Sequence, residues 1–179
     1  MAAFTVIDHT EIGTGGAASW AEASIASSYD HLLIKMSTRT ETGYVTDILD
    51  LQVGNSGLDT GTNYSATSLY AYSATVSSVR ATGADGINVI PTSGLNATAD
   101  TFAVATVWIP NYANTANYKQ ILIQAGKENA STGTAEWELR MIAGLWSSTS
   151  AITDVGIHVN GGQDIAEFST FTLYGVTGA

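Results

Sequence analysis

Apolar and polar residues alternate with a period of two along most of the chain, which is the pattern of β-strands with one buried face. Residues 102–109 are apolar at nearly every position, which predicts a central strand covered on both faces. Shorter candidate strands bring the total to about ten. The clearest alternating sets are Leu32, Ile34 and Met36; Trp137, Leu139 and Met141; Val155, Ile157 and Val159; and Phe171 and Leu173.

Clusters of Gly, Asn, Asp and Ser separate the predicted strands and have the composition of turns. Pro91 and Pro110 each close a predicted strand, where a missing N–H group does no harm. No repeat and no linker divides the chain, so we expect residues 1–179 to form a single domain. The pattern predicts an all-β protein, a two-sheet antiparallel sandwich of jelly-roll type with about ten short strands.

The chain is polar through hydroxyl groups rather than through charges. Only 12% of its residues are charged, whereas roughly 25% is usual, and it contains 24 Thr and 17 Ser. The net charge of −10 argues against nucleic acid and anionic membranes as partners. The lack of cysteine excludes disulfides, thiolate metal sites and a cysteine nucleophile.

The first residues resemble neither a signal peptide nor a membrane anchor. They contain no cationic segment followed by an apolar one, and the longest apolar stretches are too short to cross a bilayer. We therefore expect a protein that stays in the cytoplasm where it is made, unless a particle carries it out.

Catalytic motifs are absent from the sequence, although histidines and serines are present. His9, His31 and His158 lie far apart along the chain. Neither the G-x-S-x-G turn of serine hydrolases nor the H-E-x-x-H or H-x-H spacing of metal sites occurs. We predict that the protein is not an enzyme and that it holds no metal and no cofactor.

Two acidic segments allow specific sites, although a simpler interpretation is favoured for each. Residues 47–59 collect oxygen ligands and a glycine, as a calcium site would, but they lack the EF-hand spacing and suit a solvated turn. Glu136 and Glu138 share one face of a predicted strand, as the two carboxylates of a glycosidase would. Arg140 lies on the same face, so a surface ion pair explains the arrangement more simply.

The composition favours contacts between chains. Sheet edges are usually protected by lysine or proline. The chain has only three lysines and two prolines for about ten predicted strands, so few edges can be protected in this way. Tyrosine rings carry interface contacts and stack on sugars. Alternatively, many of them fill the ends of the sandwich. The tyrosines in or beside predicted loops, which are the candidate recognition residues, are Tyr64, Tyr70, Tyr72, Tyr112 and Tyr118.

Three segments carry motifs that occur together in one group of proteins. The segment YDHLLIK at 29–35, followed by Arg39, resembles a Y-x-x-L-x-[IL]…R strand. The segment DLQVGNSG at 50–57 resembles the motif that follows, which usually has an aromatic residue and Asn in place of Val53 and Gly54. Residues 146–176 resemble a W…I-T…F…G-S-x-x-x-L-Y-G-[IV] ending, although Glu167 and Phe168 stand where Gly is usual. From residue 29 onwards the chain thus resembles the small jelly-roll virion structural proteins of tailed bacteriophages, of the marine and cyanophage type.

This resemblance implies a domain of capsid decorations, head fibres or tail fibres, often trimeric and without catalytic residues. We expect a capsid decoration (cement) protein, located in the virion, whose homotrimer binds the major capsid protein or another virion protein. The alternatives are a head- or tail-fibre adhesin that binds a host glycan, and a free carbohydrate-binding module. Decoration and fibre proteins differ in the number of copies that each particle carries.

The N-terminal segment 1–12 is either an arm that reaches a neighbour or an ordinary first strand. Its apolar residues are Phe4, Val6, Ile7 and Ile12. In the last predicted strand, Leu173 is expected to face the core and Tyr174 to face outward or toward a neighbouring chain. The glycine that follows them would permit close packing or a turn.

Overall fold

The structure is a computed structural model that describes residues 3–129 and 136–178. Within these residues the regular structure is entirely β, and two antiparallel sheets form a sandwich, as predicted. Twelve strands are present, rather than about ten. They are β1 (Ala3–Glu11), β2 (Ser19–Glu22), β3 (His31–Thr38), β4 (Thr46–Gly54), β5 (Tyr64–Tyr72), β6 (Thr75–Ala84), β7 (Ile87–Ser93), β8 (Ala103–Pro110), β9 (Lys119–Lys127), β10 (Glu138–Trp146), β11 (Asp154–Val159) and β12 (Thr170–Thr177).

The strand order is that of a jelly roll with four strands added to one sheet. The larger sheet runs β1-β12-β3-β8-β9-β10-β5-β6, and the smaller one runs β2-β11-β4-β7. Without β5, β6, β9 and β10, two four-stranded sheets remain in which the first strand pairs with the last. This is the order of a jelly roll, and the predicted fold is confirmed.

The added strands are two hairpins inserted at different points of the chain. β5 and β6 form one hairpin between β4 and β7, and β9 and β10 form the other between β8 and β11. The hairpins meet because β10 pairs with β5 over nine residues, and β9 joins them to β8. We call these four strands the added half-sheet. Its inner side contacts β7, which lies at one edge of the smaller sheet.

The hydrophobic core lies between the two sheets, where alternation along the strands predicts it. Leu32, Ile34 and Met36 of β3 are buried. Trp20 of β2 stacks on Phe171 of β12 with ring centres 5.0 Å apart, which joins the sheets at the jelly-roll end. The other predicted core positions that are buried include Val155, Ile157, Val159 and Leu173.

Two strands differ from the prediction. β6 was not predicted, because its sequence contains only two large apolar side chains, and both Val76 and Val79 are exposed. β8 is central in the larger sheet, as expected, but only one of its faces is covered. Val104 on its other face is 60% exposed, so the expectation of burial on both faces is wrong.

The N-terminal segment is a first strand rather than an arm. Residues 3–11 form β1 at the edge of the larger sheet, where eight residue pairs join it to β12. Ile12 is buried in the core, and its N–H group donates to the carbonyl of Ser169 at 2.8 Å. The arm interpretation is therefore wrong for these residues, while residues 1 and 2 lie outside the described part of the chain.

Two residues of the phage-like motifs have clear structural roles. Gly175 of β12 lies against the ring of Tyr29, and a Cβ atom at this position would overlap that ring. Glycine thus permits the close packing that was expected here. Arg39 is 9% exposed, and its guanidinium anchors the segment between β7 and β8. It donates to the carbonyl oxygens of Leu95, Ala97, Thr98 and Thr101.

Tyr64 and Tyr112 are core residues, so the recognition role predicted for them is wrong. Tyr64 is 1% exposed. Its hydroxyl donates to the carbonyl of Val53 at 2.7 Å and accepts from the Val53 N–H at 3.0 Å. Because β5 and β4 belong to different sheets, this side chain ties the two sheets together. Tyr112 is fully buried, and its hydroxyl donates to the carbonyl of Ala26.

We expect the substitution Tyr64→Phe to lower the free energy of unfolding by about 1–3 kcal/mol, because it leaves a buried backbone N–H without its partner. Urea denaturation measures the change. Tyr118→Phe is the matched control, since this ring is 53% exposed, and it should leave the stability unchanged. Equal effects of the two substitutions would contradict the role assigned to Tyr64.

Candidate functional site

The outward side of the eight-stranded sheet carries two rows of apolar residues at paired positions. We call these rows, together with Phe4, Leu69 and Met141, the outer apolar face. Several of its side chains are more than half exposed, including Leu139 at 68% and Val76 at 71%. The first row runs through Val6, Tyr174, Leu33, Trp108, Leu122 and Ala143, from β1 to β10. The second row runs through Val104, Gly126, Leu139, Ala71 and Val76, from β8 to β6.

A groove crosses this face on the added half-sheet. It has a volume of about 510 Å³. A second depression of about 450 Å³ shares Ala71 and Leu139 with it and continues toward Val104. The surface is concave here because Ala71 and Gly126 have little or no side chain between longer neighbours. The apolar residues that line the groove are Leu69, Ala71, Val76, Leu139 and Met141.

The outer apolar face is almost free of carboxylates. Among the outward-facing residues of its eight strands, Glu11 is the one carboxylate, and it lies on the edge strand β1. The cations on this side are Lys35 of β3 and Arg80 of the opposite edge strand β6. The chain has sixteen acidic residues, so its negative charge lies on other surfaces. An acidic partner, or another copy of the chain, meets the least repulsion here.

The orientation of β10 produces much of this face. Arg140 forms an ion pair with Glu138, as predicted, but the pair lies on the inner side of the sheet rather than on the surface. Glu138 is 3% exposed. Arg140 also donates to the carbonyl of Val89 at 2.9 Å and lies 4.6 Å from the ring centre of Tyr70. Because these two charged residues point inward, Leu139 and Met141, which alternate with them, point outward.

Five residues near the chain ends were expected to contact a neighbouring chain, and they divide between the outer apolar face and the core. Phe4, Val6 and Tyr174 lie together on the outer apolar face. The ring of Phe4 packs edge-on against that of Tyr174, with ring centres 6.4 Å apart. Ile7 is half-buried and packs against the core, which also contains Ile12.

The candidate recognition tyrosines do not form one site. Tyr70 and Tyr72 point to the inner side of the added half-sheet, where Arg140 covers the ring of Tyr70. Tyr118 is the one candidate in an exposed loop, and it lines a small polar pocket of about 110 Å³. Lys119 also lines this pocket and is 2% exposed. Its Nζ donates to the carbonyl of Asn117 at 2.9 Å, and burial lowers the pKa of its ammonium group.

The carboxylates of the acidic segment 47–59 accept hydrogen bonds from the protein itself. Asp47 accepts from the hydroxyl of Thr40 at 2.9 Å. Asp59 accepts from the indole N–H of Trp146 at 2.8 Å, and this bond lowers the pKa of Asp59. Across residues 3–129 and 136–178, no cluster of three or more His, Cys, Asp or Glu side chains is suitable for a metal ion. The same residues include no helix that could span a membrane.

Asp50 is the most buried carboxylate of that segment, with an exposure of 4%. Its Oδ2 accepts a hydrogen bond from Asn160 at 2.8 Å and lies 3.5 Å from Nε2 of His158. Its Oδ1 is buried and has no hydrogen-bond partner in the described part of the chain. Burial raises the pKa of Asp50, and this effect outweighs the lowering by Asn160 and His158.

The sequence matches no family model and no curated protein. The resemblance to phage virion proteins therefore stays a prediction from the motifs. The outer apolar face was not predicted as a site, although the apolar residues on both sides of β8 were a signal of it.

Neighbouring substitutions in β10 test its orientation. Arg140→Ala should lower the free energy of unfolding by about 3 kcal/mol, because it leaves the buried Glu138 carboxylate without its partner. Leu139→Ala should change the stability of the separate subunit by less than about 0.5 kcal/mol, because the side chain is exposed there. Both variants are therefore compared at a concentration at which the chain is monomeric. Chemical denaturation of both variants measures this. A larger loss for Leu139→Ala would mean that the strand faces the other way.

We expect Asp50→Asn to raise the melting temperature at neutral pH. The folded state holds this carboxyl with a raised pKa, so its charge costs stability above that pKa, and the cost disappears as the pH falls through it. The gain should therefore shrink in acid. Thermal unfolding across pH measures it, with Asp100→Asn, at an exposed position, as the control for loss of a negative charge. A gain that is independent of pH would contradict the assignment.

Proposed function

We propose that the protein is a structural component of a tailed-bacteriophage virion. In this proposal it is a capsid decoration protein, made in the host cytoplasm, that binds the assembled head as a symmetric oligomer and stabilises it. Its partners are other copies of itself and the major capsid protein or another virion protein. The motifs at residues 29–39, 50–57 and 146–176 support the virion assignment.

The observation that carries this proposal is the outer apolar face. Antiparallel sheets with one free face usually present polar residues there, and large exposed apolar patches mark interaction surfaces. Burying a side chain such as Leu139 contributes about 2 kcal/mol. Because association costs about 4–15 kcal/mol in lost freedom of motion, several of these residues must be buried together to hold a subunit.

A decoration protein needs no catalytic group, because binding alone stabilises the head. Any protein that binds the assembled shell, and not its separated subunits, shifts the equilibrium toward assembly. The jelly roll suits this role, since its core is buried between two sheets and its outer apolar face is held on regular strands. The net charge of −10 keeps free copies soluble before they bind.

Quantitative mass spectrometry of purified particles tests the function. We expect the protein in a simple ratio to the major capsid protein, and we expect heads that lack it to disassemble at a lower temperature. The low copy number of a fibre or collar would instead favour the adhesin. Absence from the particle would refute a virion role altogether.

The adhesin is the second candidate because of the pocket beside Tyr118. An exposed aromatic ring next to amide groups suits a sugar, since the ring stacks on its apolar face while the amides bind its hydroxyls. The groups that line the pocket include Asn111, Asn117, Tyr118, Lys119 and Gln120. Its volume of about 110 Å³ admits only part of a sugar ring, so this function has the weaker support.

A further inference from the structure

We propose that the two ends of the outer apolar face bind each other between copies of the chain, so that the β1 end of one copy occupies the groove on the added half-sheet of the next. The β1 end is the surface formed by Phe4, Val6 and Tyr174. This inference rests on the assembly role proposed above, and it names the contact by which the oligomer forms.

The β1 end offers apolar side chains on a strand with a free edge. β1 pairs with β12 on one side, and no strand among residues 3–129 and 136–178 pairs with its other side. Phe4 and Val6 are 59% and 55% exposed, although both are large and apolar. Phe4 is held in place by its edge-on contact with Tyr174, so it costs little entropy to fix on binding.

The groove offers the matching concave surface at the other end of the same sheet. It is bordered by Val76 of β6, which is the opposite edge strand of the sheet in the described part of the chain. Leu69 and Leu139 form its other apolar walls. A volume of about 510 Å³ accommodates an aromatic side chain together with a neighbouring aliphatic one.

Charge favours a second copy as the partner, because the two ends of the face carry opposite charges. The β1 strand carries Glu11 on its outward side, and β6 carries Arg80. A contact between the two ends brings these opposite charges onto one interface. Contacts elsewhere between two copies that each have a net charge of −10 would bring carboxylates together instead. One chain therefore supplies both complementary halves.

A contact between two different surfaces of the same protein runs head to tail, unless a two-fold axis relates the two copies and repeats the contact. Such a contact closes into a ring when the rotation between copies permits it. The homotrimer expected from the sequence is one such ring. The added half-sheet then provides the receiving surface of this contact, because without β5, β6, β9 and β10 the jelly roll would have the β1 end but no groove.

Two variants of the full-length protein, each lacking one half of the contact, test this proposal by sedimentation velocity at micromolar concentrations. Wild type should form a closed oligomer, whereas Phe4→Asp and Val76→Asp should each be monomeric. An equimolar mixture of the two should form a one-to-one dimer, because the first retains the groove and the second retains the β1 end. Tyr44→Asp and Val79→Asp are the matched controls, since they change exposed apolar residues elsewhere, and both should assemble as wild type does.

Circular dichroism should show that both variants are folded, and the dimer in the mixture would confirm that each retained half works. A monomeric wild type would overturn the proposed contact between copies. It would not overturn the decoration function, which the copy number on the particle tests separately. An oligomer that persists in either variant would overturn it as well. Monomeric variants that do not combine when mixed would indicate contacts between identical surfaces, contrary to the proposal.

Discussion

A four-stranded sheet covers only one side of the eight-stranded one, and none of the other strands in the described residues lies over the second side. This constraint explains the distribution of polarity in the molecule. The inner side holds the core, and at its far end it holds the buried pair of Arg140 and Glu138. The outer side carries two apolar rows, and the row between them includes the polar residues Thr172, Lys35, Thr106 and Gln124. A sheet that remained in water on that side would gain nothing from the apolar rows.

Much of the fold follows from the period-two pattern. The pattern shows which residues share a face of a strand, and in β3, β11 and β12 the apolar set is the buried one. It does not show which face is covered, because that depends on the partner layer. In β10 the set that contains Leu139 and Met141 is exposed, while the charged set is inside. β6 escapes the pattern for the opposite reason, since only its last residue, Ala84, packs against the core and the rest of the strand needs no apolar alternation.

The candidate site was predictable only in part, because the sequence does not show which strands lie next to each other or in what register. Phe4, Val6 and Tyr174 were selected from the terminal strands and share one surface, but their neighbours across six strands depend on register, which a single sequence does not encode locally. Tyr64 lies beside a loop in the sequence, yet its hydroxyl satisfies the backbone of a strand in the other sheet. Position near a loop therefore says little about whether a tyrosine is exposed.

The pairing of β1 with β12 also has a consequence for the timing of synthesis. His9 and Thr172, which are hydrogen-bonded across this pair, are separated by 163 residues. β1 leaves the ribosome first and stays without a neighbour until β12 follows. At about 5–20 residues per second this delay is on the order of ten seconds or more. The surface made by Phe4, Val6 and Tyr174 thus exists only in chains in which β12 is complete, so unfinished copies on one messenger RNA do not present it to each other.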